Sequence, residues 1–116
     1  MRALRLAPFA RILALPAAAQ DLATTDAIKA AITGNTVQGS MTTSGAYTEF
    51  YAADGMIKGK DYTGTWTVDA DKMCFAYGTD PATCYGLRIA GDQVTWVGAS
   101  GDEGTGTILP GNPNSW

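Results

Sequence analysis

Two cysteines and a scatter of carboxylates are the side chains with reactive or ligating chemistry in a chain of 116 residues that has no histidine. Without histidine the usual general acid or base near neutral pH is missing, and so is the commonest ligand for zinc and copper. Most hydrolase triads are excluded on that ground. Cys74 and Cys84 stand ten residues apart around Thr79-Asp80-Pro81. If a turn is centred near Thr79, strand positions pair when their numbers sum to 158, which sets Cys74 opposite Cys84. A cross-strand disulfide is expected there. Reactive dithiols sit closer in sequence and at a helix N-terminus, so a redox role is not expected.

Other clusters fail on composition. Asp69-Ala70-Asp71 has the alternating acids of a calcium loop but lacks the glycine and the later glutamate, and it already reads as a turn. Gly101-Asp102-Glu103-Gly104-Thr105-Gly106 imitates a phosphate cradle, yet it carries two acids and no lysine. No strand, glycine-rich loop and helix unit of the kind that binds nicotinamide cofactors is present. Met41, Met56 and Met73 lack the histidines or spacing of a copper site and read as core residues. No cofactor or metal is implied.

Four charged residues remain as candidate contacts for a partner or ligand: Glu49, Arg88, Asp102 and Glu103. Glu49 lies within an apolar strand, with Tyr47 and Tyr51 on its own face. If that face lines a barrel interior, the carboxylate can orient a ligand or act as an acid or base. The simpler expectation is that the Tyr47, Glu49 and Tyr51 face meets water and Phe50 enters the core. Arg88 alternates with Leu87 and Ile89, and a surface ion pair with a carboxylate on a neighbouring strand is expected. Asp102-Glu103 sits in a glycine-rich loop from Gly98 to Gly106.

The elements that must carry these residues begin after an unlike N-terminus. Residues 1–20 combine Arg2 and Arg5, an apolar run to Leu15, and Pro16-Ala17-Ala18-Ala19, the pattern of a secretory signal peptide. No run of about twenty apolar residues suits a membrane span. Cleavage near Ala19 or Gln20 would leave five basic against eleven acidic residues, a net charge of about −6. An acidic domain of this kind does not suit nucleic acid or anionic lipid.

Residues 21–34 read as a short helix, capped by Thr24 or Thr25, with Ile28 and Ile32 one turn apart and Gly34-Asn35 ending it. So thin an apolar stripe must dock on something to persist. Residues 35–116 read as a β domain. Alternation of period two marks strands within 45–53, 56–60, 62–68, 73–77, 84–89, 94–98 and 104–109, separated by short turns. Such even spacing predicts a mainly β fold of seven or eight antiparallel strands in a meander that closes into a small barrel or sandwich. Trp66, Phe75, Tyr77, Tyr85 and Trp96 are the expected core aromatics.

Gly34-Asn35-Thr36, Tyr51 with Asp54-Gly55, Gly64-Thr65-Trp66, Met73-Cys74-Phe75, Cys84-Tyr85 and Gly91-Asp92 follow one another in an order that resembles a group of small exported alphaproteobacterial proteins grouped as a domain of unknown function. The resemblance covers roughly residues 32–97 and implies a fold and an exported, periplasmic location. It implies no reaction. The chain as a whole therefore reads as a non-enzymatic, periplasmic or secreted β domain that binds an envelope protein or a small ligand. The alternative is an inhibitor that inserts Asp102-Glu103 into a cationic enzyme cleft such as that of a lysozyme.

Overall fold

The computed structural model describes residues 21–116; the expected signal segment, 1–20, lies outside the described residues. Helix α1 (Thr25–Ile32) is followed by eight strands: β1 (Asn35–Met41), β2 (Gly45–Tyr51), β3 (Met56–Lys58), β4 (Thr63–Asp69), β5 (Lys72–Ala76), β6 (Thr83–Ala90), β7 (Gln93–Gly98) and β8 (Gly101–Leu109). Each strand pairs antiparallel with the next, and β8 returns to β1, so the sheet is a closed barrel. Closure leaves no edge open to pair with another chain.

The strand that the alternation did not mark is β1. Its inward positions are Val37, Gly39 and Met41, and a glycine in the middle erases the apolar signal. That glycine has a packing reason. Gly39 pairs with Gly106 across the closing seam, and a Cβ on Gly39 would run into the Thr105 and Gly106 backbone. A Cβ on Gly106 would meet the Tyr47 hydroxyl. The seam is thus thinned so that large aromatic side chains can lie against it.

In β4 the expected division holds. Gly64 and Trp66 are buried while Thr63, Thr65 and Thr67 face water. Ala70 and Asp71 turn the chain between β4 and β5 with positive φ, and Gly34 ends the helix segment at φ +75°.

Helix α1 closes one end. Thr24 caps it, its Oγ1 accepting from the Ala27 N–H at 3.2 Å, and Asp26 stands in the first turn where the dipole favours an anion. Thr25 and Asp71 exchange hydrogen bonds: the Thr25 N–H donates to Asp71 Oδ1 at 2.7 Å, and the Asp71 N–H to Thr25 Oγ1 at 2.8 Å. The helix is thereby tied to the β4–β5 turn. Ile28 and Ile32 are fully buried and pack into one core with Val37, Ile57, Met73, Leu87 and Val94. This is the docking that so short a helix requires.

Cys74 and Cys84 are opposite one another in the β5–β6 register and are joined as a disulfide. Among the described residues no helix is long and apolar enough to cross a membrane.

Candidate functional site

The β1–β2, β3–β4, β5–β6 and β7–β8 connections gather at the end of the barrel opposite α1. That end holds a cavity of about 150 Å³. Met41 and Ser44 stand at its rim, and Tyr47, Phe75, Tyr77, Tyr85 and Trp96 supply its wall. Glu49 and Tyr51 lie deeper.

Here the structure corrects the expectation for β2. Glu49 is 6% exposed and Tyr51 1% exposed, whereas Phe50 is only half-buried. The Tyr47, Glu49 and Tyr51 face points inward. Alternation defines two faces but not which is inside, and the charge of Glu49 argues for water unless the interior supplies hydrogen bonds. The interior does supply them.

Three phenols converge on the Glu49 carboxylate. Tyr51 donates to Oε1 at 2.7 Å, Tyr62 donates to Oε2 at 2.7 Å, and Tyr77 shares its proton between Oε1 at 3.0 Å and Oε2 at 2.8 Å. Each comes from a different place in the chain: Tyr51 from β2 itself, Tyr62 from the β3–β4 connection, and Tyr77 from just beyond β5. Tyr62 stacks edge-on with Tyr77 at 6.0 Å. Its ring lies where a Cβ on Gly59 would be, so glycine at 59 is what lets the ring lie down over the carboxylate.

Burial pushes the phenols of Tyr51, Tyr62 and Tyr77 well above the usual tyrosine range, and the nearby Glu49 charge pushes them further. They remain protonated donors across the physiological range. Tyr47 is also raised, chiefly by burial, against a lowering hydrogen bond from Trp96. The Trp96 indole N–H donates to the Tyr47 hydroxyl at 2.7 Å, which donates in turn to the Thr105 carbonyl at 3.0 Å. Phe75 meets Trp96 edge-on at 5.3 Å and Tyr85 at 5.9 Å. The wall of the cavity is therefore an edge-packed, hydrogen-bonded aromatic lattice with one carboxylate in its floor.

The remaining candidates lie elsewhere. Arg88 forms an ion pair as expected, but not with a neighbouring strand and not wholly on the surface: its largely buried side chain reaches across β7 to Asp102 of β8. Asp102 and Glu103 are not in a long loop: β7 and β8 form a tight hairpin in which Gly98 pairs with Gly101, itself at φ +116°. The run of glycines reads as a loop because glycine is a turn residue, but here it extends a strand. The Glu103 carbonyl accepts from the Thr42 N–H at 2.9 Å and from the Thr42 hydroxyl at 3.0 Å, tying the β7–β8 hairpin to the β1–β2 turn. Glu49 and Arg88 are not brought together.

Phe75, Tyr77, Tyr85 and Trp96 lie inside as expected, around a cavity, while the convergence of Tyr62 and Tyr77 on Glu49 is new in the structure. A carboxylate flanked at both i−2 and i+2 by tyrosines on one strand face was the available signal for Tyr51. Tyr62 carried none, because its role depends on a loop folding back. No protein-family model matches the chain, and no curated protein or solved structure matches it.

Proposed function

We propose that this protein is a non-enzymatic binding module that takes a small ligand into the open end of its barrel. One observation carries the reading. The helix-capped half of the interior is filled with apolar side chains, while the open half keeps a cavity of about 150 Å³ with a hydrogen-bonded carboxylate at its base. An eight-stranded barrel is just wide enough for side chains to fill it or for one small molecule to be held, and a cavity of about this size takes a molecule on the scale of benzene. The wall favours binding over catalysis: the phenols are held as donors, and no histidine is available anywhere in the chain to move a proton. An exported setting, periplasmic or secreted, is part of the proposal, and the Cys74–Cys84 disulfide supports it.

The inhibitor reading gains no lever from the geometry, since Asp102 is engaged by Arg88 and the hairpin does not protrude as a loop. The test of ligand binding is a fragment screen read by NMR. Binders should shift the indole N–H resonance of Trp96, which lines the cavity, and leave that of Trp66, which donates to the Ala52 carbonyl near the closed end, in place. A screen in which shifts never converge on Trp96 removes the proposal.

A further inference from the structure

We infer that the ligand is a compact organic cation, its ammonium seated against Glu49 and its alkyl groups against the aromatic wall. The inference rests on the small-ligand reading above and adds the chemical class.

Charge is the first ground. Glu49 is 6% exposed, and all the hydrogen bonds it accepts come from neutral phenols. Among the described residues the one ion pair is Arg88–Asp102, which does not involve Glu49. A carboxylate taken out of water without a cation is costly unless something compensates it. Three phenol protons, one of them shared between both oxygens, meet its acceptor positions with neutral donors alone. A positively charged N–H, or the positive surface of a methylated ammonium, supplies the counter-charge that neutral donors lack.

The wall is the second ground. Tyr47, Phe75, Tyr77, Tyr85 and Trp96 surround the space above Glu49. Aromatic faces attract cations through the ring quadrupole, most strongly when both partners are desolvated. A neutral ligand would use the wall and leave the carboxylate without a counter-charge, and an anion would be repelled by it. A metal ion is a poor occupant: calcium needs six to eight oxygens, whereas this floor offers one carboxylate and phenols held protonated. The chain has no histidine, and both cysteines are in the disulfide. Residues 21–116 carry eleven acidic against five basic side chains, a field that draws cations toward the mouth.

The decisive experiment uses three probes of nearly one shape, tert-butylammonium, tert-butanol and pivalate, titrated into the protein while Trp96 fluorescence and its indole resonance are followed. The cation should bind at least about tenfold more tightly than the alcohol, and pivalate should be weakest. In Glu49→Gln, which keeps the shape, the preference should fall to within about twofold. In Tyr85→Leu, which thins the wall without touching the carboxylate, cation binding should weaken more than alcohol binding. The wild-type comparison needs no variant to fold. If tert-butanol binds as well as the cation, or pivalate better, the cation inference is overturned while the small-ligand reading stands. If none of the three shifts Trp96, the cavity takes no compact ligand and both fall.

Discussion

The two halves of the barrel interior are built from the same eight strands and differ in almost everything else. At the helix-capped end Ile28, Ile32, Ile57, Leu87 and Val94 meet with no exposed surface to speak of. At the open end the same strands present Tyr47, Glu49, Tyr85 and Trp96, and the space between them is not filled. The closed half has the composition of a folding core. Its opposite number holds a charge where none is needed for stability, and buried carboxylates are retained at a cost. Stability and recognition are thus separated along the barrel axis, and substitutions in the two halves should separate in the same way.

The largest effect is expected in the closed half. Ile32→Ala should lower unfolding stability by about 2 to 5 kcal/mol, read by urea denaturation, because a fully buried aliphatic is removed from the docking face of a helix that cannot stand alone. Ligand affinity of the fraction that remains folded should not change. A comparable loss of affinity would show that the two halves are coupled after all.

Removing the staple by Cys74→Ser with Cys84→Ser should cost about 2 to 3 kcal/mol, the entropy of a loop of about ten residues. It should lower the melting temperature without moving the Trp96 resonance.

The open half should lose less stability and more function. Tyr51→Phe deletes a donor to a charged acceptor at a 1% exposed site, for about 1.5 to 3 kcal/mol. Tyr62→Phe deletes the same hydrogen bond at a 44% exposed ring, where water can replace it, and should cost under about 1 kcal/mol. Equal costs at the two positions, in paired urea melts, would mean that the cage is not graded from floor to rim.

The pH dependence lies between them. Tyr51 is raised in the folded state, so its contribution is complete below about pH 10, where free tyrosines ionise, and is lost as pH rises through the folded value. Above about pH 10 the unfolded chain holds fewer protons than the native one, and stability should fall by about 1.4 kcal/mol per pH unit from Tyr51. Half-exposed Tyr62 adds less because solvent screens it. Urea midpoints measured at rising alkaline pH should bend downward in the wild type and bend less in Tyr51→Phe.

The helix and the strand pairing were the legible part. Ile28 and Ile32 at helical spacing, the threonine face of β4 and the pairing of Cys74 with Cys84 follow from periods and turns, and the structure has all three. The open half resisted reading for physical reasons. Glu49 was expected in water because charge is costly to bury, and the compensation comes from Tyr62 and Tyr77, thirteen and twenty-eight residues away. Strand β1 was hidden because Gly39 is small for the sake of the seam, where a side chain would have strengthened the pattern. Asp102 and Glu103 read as a loop because the glycines around them serve close approach as well as turning.

That same seam governs when the molecule can exist at all. Every other strand pair is a hairpin between chain neighbours, but β1 waits for β8, with Thr36 facing Leu109 and Met41 facing Gly104. Hairpins can form early as the chain emerges, whereas this pairing spans most of the chain and is slow to find. Thr36 Oγ1 donates to the Gly111 carbonyl and the Gly111 N–H donates to Asn35 Oδ1, so even the residues past β8 latch onto the start of β1. The last of the eight barrel strands to be synthesised is the one that turns an open ribbon into a vessel, and until it arrives the aromatic wall has no inside.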